Sequence, residues 1–529
     1  MHLGLAPHFS DALRCAQRSA LPDARCGSRL LAVCLPIWKL TSSPRLHVGR
    51  FQGPSLSGRV SASGRLRLFS VAGSRRLMKT RSRRQLGMEQ EIGTRPLLRT
   101  LPNGVRLLAL PMPHVRSVSV GVFLRVGSRD ETPATNGISH VLEHMAFKGT
   151  TTRSVQAINL DAERLGAEVN AYTGKDSTGY FMTGLGAHAQ QLLGMMADIV
   201  LYSTFPEIEL QRELEVIRQE AIEYNEDPDD SSNDLLDRAL WGTHPMGMPV
   251  IGTVENIERF TRDDLVRHVQ QHYVANNTVV VAAGHFDVDA WMSHAEDLFT
   301  AMPASADSGR LHPPTPAAYA GQAVARRFTQ VSQVFLNIAY PLMPTGPNGM
   351  PSQRLRLAAA LAANLFGGGM SAPLVDTVRE RLGLAYTAEA NLDSGDNWLN
   401  FVVHAVTTPD KIEALVQATG ELLYAQTATI DPVHLERAKN QLIVSCVRAS
   451  ERPFATMERA VEELWASASV TLLVETTALI DDIRLEEVRD VFARMLAHPP
   501  ALSITGKGVS AKSARQLAGS LAASVLQKP

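Results

Sequence analysis

Cysteine is scarce in this chain of 529 residues. There are four, and three of them lie within the first 34 residues, leaving only Cys446 in the body of the protein. A disulfide framework therefore cannot stabilise the body, and a reducing compartment is the simpler interpretation. With 45% hydrophobic residues, the chain has enough apolar material for large cores, and its length indicates about two or three domains.

Acidic residues are scarce in the first 88 residues, and long apolar runs are absent from them. This leader holds 16 Lys and Arg against two acids, which leaves 36 basic and 51 acidic residues in the rest. Its best apolar run, "LLAVCLPIW" (Leu30 to Trp38), is too short to span a bilayer, so we expect no membrane insertion. Because the basic leader is separable from an acidic body, we expect no nucleic-acid binding either.

Residues 1–94 are expected to be a disordered, basic, low-complexity leader outside the fold. Their Ser/Gly/Arg-rich composition is typical of a mitochondrial transit peptide, which would place the protein in the mitochondrial matrix. Met78 and Met88 also allow a bacterial start codon that has been placed too far upstream. The second interpretation is favoured, because "MEQEIGTRPLLRTLPNG" from Met88 opens directly onto structured sequence. It predicts a cytoplasmic bacterial protein.

The body contains the same order of strands and helices twice. In the first copy, "VRSVSVGVFLRVG" alternates as a half-buried strand does, and a helical segment and the strands "AEVNAYTG" and "STGYFMTGLG" follow. In the second copy, "QVFLNIAYPL" is strand-like, "RLRLAAALAANL" is helical, and two strands follow. Landmarks recur at a nearly fixed offset, with Pro228 and Pro453 separated by 225 positions and Trp241 and Trp465 by 224. A chance likeness of composition would not produce this offset.

The duplication predicts an α+β protein made of two tandem homologous α/β domains. Each is expected to contain a mostly antiparallel mixed sheet packed with helices. The predicted boundaries are 95–303 for the first domain, 304–322 for a Pro/Ala/Ser/Gly-rich linker and 323–525 for the second domain.

His140, Glu143 and His144 form an H-x-x-E-H pattern in "NGISHVLEHMAFKGT". On a helix, positions i and i+4 share a face, so the two imidazoles can point at one metal ion with Glu143 beside them. The alternative is a surface helix with ordinary His/Glu pairs. The second copy is an internal control, because its helix at 354–365 has no His, Cys, Asp or Glu. The scaffold alone therefore does not require these polar residues.

Four landmarks follow one another along the chain: "GISHVLEHMAFKGT", "EVNAYT", "ELEVIRQE" and "GTHPMGMPVIGTVENI". With them, residues 95–510 resemble the pitrilysin-like (M16) metallopeptidases, which belong to the H-x-x-E-H class, and above all the group of the mitochondrial processing peptidase β-subunit and its single-chain bacterial relatives. The resemblance implies the LuxS/MPP-like metallohydrolase fold. It also implies a zinc-dependent endopeptidase that holds one Zn²⁺ per chain and hydrolyses extended peptides or presequences.

The resemblance implies that Glu220 is the third metal ligand, after the two histidines. Glu220 lies 76 residues after His144 in "ELEVIRQEAIE", and Glu213, seven residues earlier on the same helix, would orient the ligands. Spacing alone leaves Glu215 and Glu223 as competitors, since an acidic amphipathic helix is usually a solvated face.

The resemblance also implies roles in the reaction and in substrate binding. Glu143 would accept a proton from water and pass it to the leaving amine. Asn170 and Ala171 would lie on an edge strand to which the peptide substrate adds by backbone hydrogen bonds. From the metal-free second copy, Arg379 and Tyr386 would hold the substrate and help stabilise the oxyanion.

Small M16 chains resemble half of a clamshell and close a chamber by pairing. This chain has both the metal set and the Arg/Tyr pair, so a homodimer is sufficient, while a heterodimer with another M16 chain is the alternative. A non-catalytic subunit of such a heterodimer or of a respiratory complex is the competing function. A zinc-binding module without hydrolysis is a third, and it has no need of Glu143.

Overall fold

The computed structural model describes residues 95–304, 317–343 and 349–526. The predicted disorder of residues 1–94 and most of the predicted linker lie outside the described residues. No helix in the described ranges is long and apolar enough to cross a membrane.

Residues 95–304, the first unit, contain six strands and eight helices. The strands are β1 Leu97–Thr100, β2 Arg106–Pro111, β3 Ser117–Leu124, β4 Glu168–Thr173, β5 Thr178–Leu185 and β6 Thr278–Gly284. The helices are α1 Ile138–Met145, α2 Val155–Arg164, α3 Ala189–Tyr202, α4 Glu207–Glu226, α5 Pro228–Trp241, α6 Val254–Ile257, α7 Arg262–His272 and α8 Val288–Phe299.

The described residues from 317 to 526, the second unit, follow the same order. The strands are β7 Ala323–Arg327, β8 Val334–Pro341, β9 Thr387–Ser394, β10 Leu399–Thr407 and β11 Ala501–Gly506. The helices are α9 Gln353–Gly367, α10 Pro373–Val375, α11 Ile412–Ala428, α12 Pro432–Ser450, α13 Pro453–Ser467, α14 Leu473–Asp482, α15 Leu485–Leu496 and α16 Ala511–Leu526. A π-helical turn, Asp376–Arg381, continues α10.

The two sheets have the same strand order. The first is β1-β2-β6-β3-β5-β4 and the second is β7-β11-β8-β10-β9, so the orders coincide once β1 is set aside. In each sheet one pair is parallel, β2 with β6 and β7 with β11, and the other pairs are antiparallel. The predicted α+β class with two matching, mostly antiparallel mixed sheets is confirmed. The domain boundaries stay predictions.

Each unit contributes one helix to the sheet of the other. Helix α13 packs on β3 and β6, where Met457, Val461 and Trp465 join a buried cluster with Phe123. Helix α5 packs on β8 and β11 of the second sheet, and Trp241 belongs to that cluster. The repeated tryptophans of the sequence therefore occupy matching places at the contact between the units.

The exchange of helices corrects the expectation for β3. Its alternating sequence predicts a strand with one exposed face, but seven of its eight residues are buried. The serine-bearing face is covered by α13, from more than 300 positions later in the chain, and the hydroxyl of the buried Ser119 hydrogen-bonds to that of Thr183 at 2.8 Å. Polar residues in the pattern thus mark satisfied buried groups rather than a solvated face.

Candidate metal centre

Helix α1 begins on a buried carboxylate. Glu131 accepts hydrogen bonds from the backbone N–H groups of Gly137 at 2.8 Å and Ser139 at 2.9 Å, and from the side chain of Asn136 at 3.0 Å. The first turn of a helix leaves N–H groups without an intrahelical partner and favours negative charge, so Glu131 fixes where α1 starts. Burial raises the pKa of Glu131 to about 7.

Gly137, which precedes α1, is a position where only glycine fits. Its φ is 99°, and a Cβ there would lie 2.8 Å from the carbonyl oxygen of Ile251. The helix start is therefore held from two sides, by the carboxylate and by close backbone packing.

Two helices bring the predicted ligands together. Nε2 of His140 lies 4.0 Å and Nε2 of His144 lies 3.7 Å from the same carboxylate oxygen of Glu220 on α4. Donor atoms bound at zinc distances of about 2.0–2.2 Å in a tetrahedral shell are roughly 3.4 Å apart, so shifts of a few tenths of an ångström suffice. Within the described ranges, this is the only group of three or more His, Cys, Asp or Glu side chains with such converging atoms. The donor set of two imidazoles and one carboxylate fits zinc.

Of the competing glutamates, Glu215 points elsewhere. It is an exposed residue on α4 whose carboxylate accepts hydrogen bonds from Arg218 at 2.8 and 2.9 Å. The hydrogen bonds to Arg218 lower its pKa to about 2. Glu223 is not part of the converging group either.

The two histidines differ in their surroundings. Nδ1 of His140 is buried with no hydrogen-bond partner among the described residues. Burial, followed by the neighbouring His144, lowers the pKa of His140 to about 3. Burial also lowers the pKa of His144, but the hydrogen bond to Glu213 and the charges of Glu143 and Glu220 outweigh it and raise this pKa. His140 therefore stays neutral with a free lone pair. The carboxylates around His144 favour the protonated, positively charged form of its ring.

Glu213 connects the metal-facing ring to a lysine. The Nδ1–H of His144 donates to Glu213 at 3.0 Å, which leaves Nε2 directed at Glu220, and the Lys148 ammonium lies 2.7 Å from the other Glu213 oxygen. Burial raises the pKa of Glu213, but the hydrogen bonds from His144 and Lys148 lower it by more. The net result is a pKa below the ordinary value of a glutamate. The ionised Glu213 thus fixes the tautomer and orientation of His144. Lys148 was not predicted, although it follows His144 at the i+4 spacing.

Glu143 lies beside the three donor atoms and is held by a residue that sequence reasoning missed. The Thr173 hydroxyl, at the end of β4, donates to the Glu143 carboxylate at 2.6 Å. Burial raises the pKa of Glu143, and the Thr173 hydrogen bond and the charge of His144 oppose this shift. A carboxylate with a raised pKa, fixed by one hydrogen bond, is suited to accept a proton near neutral pH.

Asn170 and Ala171 lie on β4, at the edge of the first sheet. Asn170 is exposed, Ala171 packs against the core of the first unit, and the Ala171 N–H donates to the Asn170 side chain at 2.8 Å. The strand that carries Thr173 is therefore also a strand with one side open to backbone pairing.

Arg379 and Tyr386 contact each other in the second unit. The Arg379 guanidinium lies 5.4 Å from the centre of the Tyr386 ring, which is 64% exposed, and both line a cavity of about 340 Å³ together with Lys411. The π-helical turn that carries Arg379 packs on β9 and α11 of the second unit. The structure thus brings the pair together but places it outside the group of donor atoms on α1 and α4.

Known proteins match this chain in sequence and in fold. Residues 107–254 match the family described as insulinase (peptidase family M16), and residues 259–442 match the peptidase M16 inactive domain. A Rickettsia felis protein called an uncharacterized zinc protease is 30% identical over 410 residues, which are 77% of this chain and 96% of that protein.

Two solved structures share the fold at 19% identity. A protease from Helicobacter pylori superposes with a TM-score of 0.70 over 78% of this chain and 99% of the other. A chain of complex III2 from Candida albicans superposes with a TM-score of 0.67 over 80% of this chain and 99% of the other. The matched segments, which span most of both units, and the Rickettsia relative show that the chain belongs to peptidase family M16.

Proposed function

We propose that this chain is a zinc-dependent metalloendopeptidase. The observation that carries the proposal is the convergence of His140, His144 and Glu220, with the half-buried Glu143 beside them. The name of the Rickettsia relative, a zinc protease, supports both the metal and the reaction class.

His140, His144 and Glu220 would hold one zinc ion per chain. When bound, zinc supplies a Lewis acid that polarises a peptide carbonyl and makes water acidic enough to lose a proton near neutral pH. Glu143 accepts that proton at a carboxylate oxygen and returns it to the leaving amine. The Thr173 hydroxyl keeps the carboxylate in one orientation throughout, and Glu213 does the same for His144.

The substrate is an extended peptide or an unfolded protein, presequences included. It pairs by backbone hydrogen bonds with the open side of β4 at Asn170 and Ala171, which gives affinity with little sequence preference. Arg379 and Tyr386 hold the substrate backbone and stabilise the oxyanion. The acidic body of the chain favours basic peptides.

A homodimer is the assembly that we propose, since each chain carries both the metal-binding set and the pair Arg379 and Tyr386, so two identical chains are sufficient. A heterodimer with another family member is the alternative. The bacterial origin of the Rickettsia relative supports a bacterial cytoplasmic location. N-terminal sequencing of the natural protein tests the location: a start at Met88 argues for the bacterial cytoplasm, and cleavage within the leader argues for mitochondrial import.

The decisive experiment measures cleavage of an unfolded, basic peptide by the full chain. We expect activity that disappears with a chelator and returns with zinc. Glu220→Gln should lose both zinc and activity, whereas Glu215→Gln, on the same helix but bonded to Arg218, should keep both. Equal behaviour of the two variants would contradict the ligand assignment.

A non-catalytic subunit is the competing function, because a chain of complex III2 shares the fold. The fold alone does not assign that role to this chain. Stoichiometric zinc without cleavage of any unfolded peptide would favour it, and zinc-dependent cleavage would exclude it.

A further inference from the structure

A buried polar network joins the two units close to the candidate metal centre. On the first unit, it contains Arg125 and Arg129 from the loop after β3 and Asp176 from the turn between β4 and β5. On the second unit, it contains the turn between β9 and β10, residues 395–398. We call this set of residues the junction.

The contacts across the junction are direct and largely buried. Arg125 pairs with Asp396 at 2.8 Å, with both side chains less than a tenth exposed. Asp176 accepts a hydrogen bond from the indole N–H of Trp398 at 2.9 Å and forms an ion pair with Arg129. Charged groups buried this deeply are strongly destabilising when one partner is removed, so the geometry of the junction is closely specified.

Gly395 makes this close approach possible. A Cβ at Gly395 would lie 2.1 Å from both the Asp176 carboxylate and the Trp398 indole nitrogen. The second-unit turn is also fixed by its own unit, because the Arg356 guanidinium on α9 donates to the carbonyl oxygens of Gly395 and Asp396 at 2.8 Å.

From the junction, two short segments lead to α1. The loop 125–131 ends at Glu131, which caps α1, and the turn 174–177 follows directly after Thr173, which holds Glu143. The loop and the turn are bonded to each other, since the N–H groups of Ser128 and Arg129 donate to carbonyl oxygens of the turn at 3.0 Å. The second unit thus touches both segments that fix α1.

We propose that Trp398 and Asp176 are positioning residues for Glu143. By holding the loop and the turn, the junction residues of the metal-free second unit keep the Glu143 carboxylate in its reacting orientation. This gives the second unit a role in the reaction besides its substrate contacts. The kinetic part of the proposal rests on the proposed peptidase function.

Trp398→Phe removes the indole N–H that Asp176 accepts and keeps an aromatic ring. We expect kcat to fall about tenfold, with KM and zinc content unchanged, because a small misorientation of a reacting group lowers the rate without weakening binding. Trp465→Phe is the matched control. This tryptophan also lies between the units, but its indole N–H has no hydrogen-bond partner in the part of the chain that the structure describes, so its loss should leave kcat unchanged.

A double-mutant cycle tests whether the effect passes through Glu143. Thr173→Val removes the hydroxyl that holds Glu143, and Thr173→Ser should restore it. If Trp398 acts by the same route, the double variant Thr173→Val, Trp398→Phe falls less in kcat than the product of the two single effects. Multiplying effects would overturn the proposal, as would a change confined to KM.

Hydrogen exchange separates this proposal from the proposed function. In Trp398→Phe, peptides covering residues 138–145 should exchange faster than in the wild type, with or without zinc, whereas Trp465→Phe should leave them unchanged. Faster exchange in a chain that cleaves nothing would support the coupling and refute the peptidase. Unchanged exchange would refute the coupling whatever the activity.

Discussion

Helices α1 and α9 occupy matching positions in two units whose sheets have the same strand order, but the two helices bury different side chains. Helix α9 buries Leu, Ala, Phe and Gly, as the inner helix of an ordinary core does. Helix α1, only eight residues long, buries His140 and brings Glu143 and His144 to a partly buried site. The fold therefore does not demand a polar helix at this position, and the one in the first unit needs another explanation.

The difference extends to what each helix contacts. The carboxylates of Glu131, Glu213 and Glu220, from a loop and from α4, surround α1 at its start and along its face. At the start of α9, the neutral hydroxyl of Ser352 accepts a bond from the backbone of Leu355 at 3.2 Å. A buried imidazole and carboxylates are costly to desolvate, so they persist where function uses them.

Glu143→Gln would remove the proton acceptor of α1 with little change of shape, and it has the largest expected effect. Loss of general-base catalysis typically costs 10² to 10⁴ in rate, so we expect kcat to fall by about 10³. Zinc content, measured by a metal-binding dye after unfolding, should stay at one per chain because the three ligands are intact. Full activity in this variant would remove Glu143 from the mechanism.

Leu464→Ala and Leu240→Ala compare the two exchanged helices. Leu464 on α13 and Leu240 on α5 are both almost fully buried between the units, at 1% and 2% exposure. Each truncation should lower the free energy of unfolding by about 2 to 5 kcal/mol, as measured by urea denaturation. Similar losses from a single unfolding transition would show the units to be mutually dependent, and two separate transitions would show that each folds alone.

More of the fold than of the contacts within the site could be predicted from the sequence. The order of strands and helices along the chain follows from alternation, a property of neighbouring residues, and the presence of two matching domains follows from the duplication. The burial of both faces of β3 does not, because α13 reaches that strand from the other unit. The contact of Lys148 with Glu213 does not follow from the sequence either, because Lys148 lies after the end of α1 and Glu213 lies on α4.

The partners of Glu143 and of the start of α1 were beyond sequence reasoning. Thr173 reaches Glu143 only because β4 takes the edge position beside α1, and Glu131 caps α1 only because the intervening loop turns back on itself. Glu220 was predicted from the resemblance, whereas spacing alone left three glutamates open. Its role as a ligand stays a prediction, although the structure brings it to the histidines.

Glu131→Gln tests whether the ionisable cap of α1 makes stability depend on pH in a way that the neutral hydroxyl cap of α9 does not. The folded-state pKa of Glu131 is raised to about 7, above that of an unfolded glutamate, so its contribution to stability is complete below pH 4.5 and is lost as pH rises towards 7. The free energy of unfolding of the wild type should therefore fall from pH 5 to pH 8 by about 1 to 3 kcal/mol more than that of the variant.

Ser352→Ala is the control for Glu131→Gln. Loss of this hydroxyl cap should cost about 1 kcal/mol at both pH values, because the group does not titrate. Urea denaturation at pH 5 and pH 8 gives the difference in free energy of unfolding between the wild type and each of the two variants at both pH values. An equal pH dependence in the wild type and in Glu131→Gln would mean that Glu131 titrates alike in the folded and unfolded chains.

Lys148→Met has the smallest expected effect and asks how far the polar surroundings of α1 extend. Lys148 touches none of the donor atoms of the metal, but its ammonium holds Glu213, which in turn fixes the ring of His144. Removing such an outer partner typically costs 10- to 100-fold in metal affinity, and because Glu213 keeps its bond to His144, we expect about tenfold.

Competition with a coloured chelator measures this loss of zinc affinity directly. Lys439→Met serves as the control, because Lys439 donates to the backbone carbonyl of Asp481 in the second unit, far along the chain from the donor atoms. If Lys439→Met leaves zinc affinity unchanged and Lys148→Met weakens it, Lys148 belongs to the residues that support zinc binding, through its contact with Glu213 and the contact of Glu213 with His144. If neither variant changes zinc affinity, Glu213 orients His144 without help from Lys148. The residues around α1 that support zinc binding would then include Glu213 but not Lys148.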